Sequence, residues 1–325
     1  MSSKRIGLIV NPMAGRDIRR LVAYASLQSA PEKALTARRI LAGVAAVPHV
    51  EVLVPEDEGG FFTWLQRDVT EILPVTLVPR EHHEEDSTTL WVKMLVEAGA
   101  DALIVVGGDG TQRNVAEARP SVPVLPVAGG TNNVVCYLGD QTAAGYAVAR
   151  FLADGLDGEE MGQRAKVIHI AMANGTRDLA LVDVALTRQR YTGAMAIWDP
   201  EDVQALVLTM ADASRPGLSN VGGYLHPLTF GDDEGLMLKM GLPGSPFPGV
   251  LAPGLMAHFT VAEHKVLQIG EPVMWHAPEG GSLALDGERT LILGVRDTVT
   301  LEIWRDGPLI LDPARIFHEV AGLHV

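Results

Sequence analysis

The sequence predicts a two-part protein: an α/β half built on a parallel sheet, followed by an antiparallel β-sandwich. Three observations predict it. The chain has 325 residues, more than one core needs and enough for two domains of roughly 100–200 residues each. Over the first 150 residues, short β-branched runs alternate with helical patterns, the order that a parallel sheet covered on both faces requires. After about residue 160 the runs follow one another across Gly, Pro, Asp and Asn turns, the spacing of antiparallel strands.

Each element has its own signal. Ile6–Val10 is a buried-strand run closed by Asn11-Pro12. Ile18, Leu21, Val22 and Ala25 then fall on one face of a helix. Pro31 opens a second helical stretch, Val50–Val54 is a strand, Phe61–Leu73 a helix and Val75–Val78 a strand. Asp86 or Ser87 can cap a helix that carries Leu90, Trp91, Met94, Leu95 and Ala98 on one face. Asp101–Val106 is the most strand-like run of all; Gln112–Ala118 follows as a short helix and Val124–Val127 as a strand. In the second half, strands are expected at Lys166–Ala171, Leu179–Leu186, Leu236–Met240, Ser282–Leu285, Leu291–Val295 and Val299–Trp304. Asp202–Ala211 has a helical pattern, and Pro216–Pro253, rich in Gly and Pro, is expected to form long loops.

Composition narrows the function. Acidic residues outnumber basic ones 40 to 26, a net charge of −14, and a field of that sign repels a nucleic-acid backbone. No run reaches the ~20 apolar residues of a membrane helix. The apolar run behind Lys4 and Arg5 ends at Val10, short of the roughly 7–15 residues of a secretory signal. A single cysteine, Cys136, allows no intrachain disulfide and suits a reducing compartment. A cytoplasmic protein with no nucleic-acid partner and no integral membrane segment is expected.

Glycine-rich turns carry the chemistry. Gly107-Gly108-Asp109-Gly110-Thr111 lies between the best strand and a helix. Glycines there permit close backbone approach to a ligand, and a helix N-terminus favours phosphate. The carboxylate has two readings: a helix cap in a tight turn, or a group that takes a proton from a hydroxyl or anchors magnesium. Glycine neighbours offer no side chains to bury it, so Asp109→Asn is expected to cost little stability. Gly129-Gly130-Thr131-Asn132-Asn133 repeats the arrangement after the next strand, and Asn11-Pro12 follows the first. Turns at the ends of parallel strands face one crevice, where open α/β sheets bind ligands. Walker A and Gly-x-Gly-x-x-Gly patterns are absent. Asp286-Gly287-Glu288 is either a hairpin turn or a second pair of functional carboxylates.

Together, Ile9-Val10-Asn11-Pro12, Gly107 to Thr111, Pro126 with Gly129 to Asn133, and Asp286-Gly287-Glu288 resemble the ATP-NAD kinase and diacylglycerol kinase superfamily. Asn11 to Val22 looks most like its acetoin-catabolism protein X branch, whose members are ATP-NAD kinase-like. The motifs run in family order from residue 9 to 288, nearly the whole chain. The resemblance implies an α/β nucleotide-binding domain over 1–155, a β-rich domain over 156–305 and a segment, 306–325, returning to the first. It implies ATP and Mg2+ as cofactors, NAD as acceptor or ligand, and a homo-oligomer.

By the same resemblance Asp109 is the catalytic carboxylate and a magnesium anchor, with Glu288 as the alternative base. Asn11, Gly107, Gly108, Gly110, Thr111, Asn114, Gly130, Thr131, Asn132 and Asn133 would bind the nucleotide, and Asp183 and Asp286 the substrate. Leu181-Val182-Asp183-Val184 looks like a degenerate form of the NAD kinases' Asn-Glu motif, lacking the amide. Two outcomes remain open: a small-molecule kinase acting on NAD or a hydroxylated metabolite, and a nucleotide-binding regulator with little turnover.

Other features read as ordinary. His82-His83-Glu84-Glu85-Asp86 suits a solvated loop, and His318, Glu319 and His324 lack metal-ligand spacing. Arg16, Arg19 and Arg20 lie on one helix face, solvated or against phosphates. Cys136 is expected to be a buried thiol.

Overall fold

Five strands build the first half in the computed structural model, which describes residues 3–12, 14, 24, 29–80, 87–189, 200–287 and 289–322. In chain order its elements are β1 (Lys4–Val10), α1 (Ala30–Ala45), β2 (Val50–Pro55), α2 (Phe61–Asp68), β3 (Val75–Val78), α3 (Thr88–Glu97), β4 (Ala102–Gly107), α4 (Asp109–Ala118), β5 (Val124–Ala128) and α5 (Gln141–Ala153). The strands lie in the order β3-β2-β1-β4-β5, all neighbours parallel. The order reverses direction between β1 and β4, which opens a crevice beyond their carboxyl ends. Leu8, Ile9, Val10 and Leu103 to Val106 are buried in one core, as strands covered on both faces must be.

Caps set the helix starts. Ser29 and Glu32 form a reciprocal capping box at α1, and the Ser87 hydroxyl accepts from the Leu90 N–H at α3. The helix expected around Ile18 to Ala25 lies outside the described residues, apart from Tyr24.

Helix α5 was not foreseen. Its interior is mostly small residues, which give no strong apolar stripe, and Asp140, which caps it through the Thr142 and Ala143 N–H groups, was its one clear signal. Contact geometry explains the small residues. A Cβ on Gly145 would lie 2.0 Å from the Ile40 carbonyl oxygen, and one on Gly43 would lie 2.0 Å from that of Thr142. Helices α1 and α5 therefore touch backbone to backbone.

The second half continues with α6 (Gly158–Met161), β6 (Gly162–Arg164), β7 (Val167–Met172), β8 (Arg177–Ala180), β9 (Asp183–Thr187), β10 (Val203–Leu208), α7 (Ser219–Gly223), β11 (Glu234–Met240), β12 (Pro246–Ala252), β13 (Leu255–Gln268), β14 (Val273–Ala277), β15 (Gly281–Leu285), β16 (Arg289–Leu293), β17 (Asp297–Trp304), β18 (Leu309–Leu311) and α8 (Pro313–Gly322). One antiparallel sheet runs β12-β13-β11-β10-β9-β15-β16 and a smaller one β14-β17-β7-β8. Ile168, Ile170, Leu283, Leu285, Leu301 and Trp275 pack between them. Strand β18 pairs with β5 in parallel and with β6 antiparallel, so both extend the first sheet. Among the described residues no helix is long and apolar enough to cross a membrane.

Three expectations are corrected here. Asp202–Ala211 holds strand β10 rather than a helix. The larger sheet has a core on each face, with Leu206 and Leu208 in one and Ala205 and Val207 in the other; a strand buried on both faces has no period to read. Within Pro216–Pro253 the strand expected at Leu236–Met240 is present as β11, but α7 and β12 stand where loops were expected. Strand β12 carries Pro246 and Pro248 and sits at the sheet edge, where proline is tolerated. The Leu179–Leu186 run is two strands in different sheets, broken at Leu181 and Val182.

Candidate functional site

Strands β1, β4 and β5 deliver three turns to one edge. Gly108 is extended and precedes α4, which begins at Asp109, three residues before the expected start. The Asp109 N–H donates to the Asn132 carbonyl at 3.0 Å, tying the first glycine turn to the second. The turns also touch directly, since a Cβ on Gly130 would lie 2.5 Å from the Gly108 Cα; within the first turn, one on Gly107 would lie 2.5 Å from the Thr111 side chain. Thr111 is buried and its Oγ1 accepts from Asn11 Nδ2 at 2.8 Å. Asn11, Gly107, Gly108, Gly110, Thr111, Gly130 and Asn132 are thus assembled around Asp109.

Asp109 itself is only 3% exposed. Its Oδ2 accepts from the Val134 N–H at 3.0 Å and its Oδ1 from the Val135 N–H at 3.2 Å. The expectation that nothing buries Asp109 is therefore overturned, and with it the ground for expecting Asp109→Asn to cost little. Its glycine neighbours do not shield it, but the chain beyond Asn133 folds over it.

Asn133 shapes the second turn. Its Oδ1 accepts from the Gly129 and Gly130 N–H groups, and its Nδ2 donates to the Gly130 carbonyl. From the second half, Arg215 Nη1 donates to the Asn133 carbonyl at 3.0 Å. Arg215, Thr131 and Gly130 line a hollow of about 230 Å3 beside this loop. Asn114 stands apart: its amide oxygen accepts from Arg113, and its carbonyl from the Thr89 hydroxyl.

The second half contributes another carboxylate. Asp286 sits in the turn between β15 and β16 at φ 48°, with Gly287 at φ 70°. The hairpin-turn reading holds, with a left-handed backbone at both residues, and the turn buries the Asp286 carboxylate. The Asp286 oxygens accept from the N–H groups of Leu181 at 2.8 Å, Val182 at 2.7 Å and Asp183 at 3.1 Å. Burial pushes its pKa up to about 7; the negative charge of Asp109 acts in the same direction, and the three N–H groups oppose it. Asp183, Asn132 and Gly287 meet in a narrow hollow between the halves, and the Asn132 amide oxygen is buried there without a hydrogen-bond partner. Val182 is fully buried, so this segment meets Asp286 through its backbone.

Among the described residues no group of three or more His, Cys, Asp or Glu could hold a metal ion by itself. Magnesium commonly takes one or two carboxylates and completes its shell with phosphate oxygens and water. Asp109 and Asp286 are hard oxygen donors that fit this role only alongside a bound phosphate. Cys136 is buried, its Sγ donates to the Gly107 carbonyl at 3.4 Å, and burial with the nearby Asp109 charge pushes its pKa well up. It is an inert thiol, as expected. Glu288, Arg16, Arg19, Arg20, His82 to Asp86 and His324 lie outside the described residues.

Sequence reasoning missed Arg215, an isolated arginine in a loop. It also missed the folding of Val134 and Val135 over Asp109, which no local pattern announces.

Known proteins share this architecture. The ATP-NAD kinase N-terminal domain family matches residues 6–156 and the acetoin catabolism protein X C-terminal domain family matches residues 166–306. Acetoin catabolism protein X of Cupriavidus necator is 30% identical over 313 residues, 92% of this chain and 87% of that protein. A crystal structure of yeast NADH kinase complexed with NADH superposes with a TM-score of 0.54 at 13% identity, covering 99% of this chain and 88% of that one. At that identity the likeness is one of fold.

Proposed function

The chain belongs to the acetoin catabolism protein X family, and from that membership we propose that it is an ATP-dependent kinase acting on a hydroxyl of NAD or of a small metabolite. One observation carries the reading. A buried carboxylate, Asp109, starts a helix between two glycine turns, and a second, Asp286, lies close enough to feel its charge. The first turn and the α4 N-terminus offer N–H groups to phosphate oxygens. The acceptor hydroxyl attacks the γ-phosphorus, its proton passes to an Asp109 oxygen, and ADP leaves. Magnesium, when bound, neutralises charge on the transferred group. Asp109 orients the hydroxyl, and the loop from Val134 to Val135 holds Asp109. Asp286, held by three backbone N–H groups, would contact the acceptor from the second half.

A second reading, a nucleotide-binding regulator with little turnover, draws on one observation: both Asp109 oxygens already accept backbone N–H groups. Steady-state ATP consumption with NAD and with small hydroxylated metabolites separates the two. Acceptor-dependent ADP release supports the kinase. ATP binding with no such release across the acceptors supports the regulator.

A further inference from the structure

At the opposite end of α4 from Asp109 lies a hollow of about 400 Å3, walled by Glu117, Arg119, Arg177, Asp178, Arg289 and Glu302 among others. A helix of ten residues rises about 1.5 Å per residue, so this hollow is ~14 Å from the glycine turns. Its floor is built. The Asp178 side chain, 5% exposed, lies between Arg113 Nη1 at 3.4 Å and Arg289 Nε at 2.7 Å.

The hollow's carboxylates are engaged. Glu117 pairs with Arg113 at 3.3 Å, Asp178 with Arg113 and Arg289, and Glu302 accepts from the Trp304 indole at 3.0 Å. His169, on the same wall, pairs with Asp306. Arg119 and Arg177 have no ion-pair partner among the described residues, while Glu117 and Asp178 on the same wall are already paired with Arg113 and Arg289. Two free planar forks in a concave site are suited to bidentate contact with carboxylate or phosphate oxygens.

We propose that this hollow is a second ligand site, taking a small metabolite that carries a phosphate group or several carboxylates, with Arg119 and Arg177 as its recognition groups. It does not depend on the kinase reading, because it concerns a different face and is tested by binding.

The test is calorimetric titration of the full chain with pyrophosphate and, separately, with citrate, in magnesium-free buffer. Wild type should bind at least one probe. An Arg119→Ala/Arg177→Ala variant should bind it at least 10-fold more weakly, with ATP affinity unchanged within twofold. Pyrophosphate binding identifies the phosphate class and citrate binding the carboxylate class. An Arg119→Lys/Arg177→Lys variant, which keeps charge but loses the forks, should weaken binding at least threefold and decides the matter if the alanine variant does not fold. No binding of either probe to wild type, or equal binding by the variants, overturns the proposal; the latter would place the probes at the glycine turns.

Discussion

Asp109 and Asp286 stand as a pair across the two halves of the molecule, each buried carboxylate held by consecutive backbone N–H groups, Val134 and Val135 for one and Leu181 to Asp183 for the other. Asp109 comes from the start of α4 in the first half and Asp286 from the β15–β16 turn in the second. Chemistry that needs both thus depends on the halves meeting.

Asp109→Asn should lower turnover by roughly 10²-fold or more, the scale of a positioned acid–base group. It should also cost about 1–3 kcal/mol, because the amide NH2 would face a buried N–H of Val134 or Val135. Turnover and unfolding midpoints of wild type and variant check both numbers. Unchanged turnover in a folded variant removes Asp109 from the reaction.

Gly130→Ala pushes a methyl group into the Gly108 backbone, 2.5 Å away. The two turns must part, and ATP affinity should fall at least 10-fold, with a stability loss of about 1–3 kcal/mol. Gly322→Ala, with nothing within 4 Å, is the control and should leave ATP affinity unchanged. Equal affinities in the two variants would show that close contact of the turns is immaterial to nucleotide binding.

Phosphorylation of NAD should be weak. The N–H groups of Leu181, Val182 and Asp183 are spent on Asp286, and the carbonyls of Leu181 and Val182 accept from Thr209. The Val182 side chain is buried and carries no amide to read a ligand. Efficient, saturable NADP formation by the purified protein would refute this.

Lys166 gives a pH dependence of stability. Its buried Nζ donates to the Glu234 carbonyl at 2.8 Å, and burial followed by the Arg305 charge pulls its pKa down to about 8. An unfolded lysine titrates near ~10.4, so the fold disfavours the charged form. That penalty is complete below pH 8 and is relieved as pH rises from about 8 to ~10.4. Wild type should therefore gain stability relative to Lys166→Met between pH 7.5 and pH 10. Parallel pH curves for the two proteins in urea unfolding would contradict the shift.

Local patterns made the first half legible: β4 is a run of fully buried aliphatics, and its glycine turn stands out against it. Asn11, Gly108, Asp109 and Asn132 could be placed together because parallel strands share a carboxyl end. Burial on both faces hid β10, small residues hid α5, and Pro246 with Pro248 hid β12. The hydrogen bonds from Leu181 and Val182 to Asp286 span 105 and 104 residues, and a separation of that size leaves no trace in a sequence window. Arg215 reaches Asn133 in the same long-range way.

Strand β18 has a consequence for how the protein is made. Ile310 lies beside Val124, and Leu309 to Leu311 bridge β5 to β6. During synthesis the far edge of β5 therefore waits for residues that leave the ribosome some 180 positions later. Until then the nascent first half presents an unpaired strand edge, the kind of surface that recruits other chains. The two halves are laced rather than strung in series, and a cut between them would leave the first with an open seam.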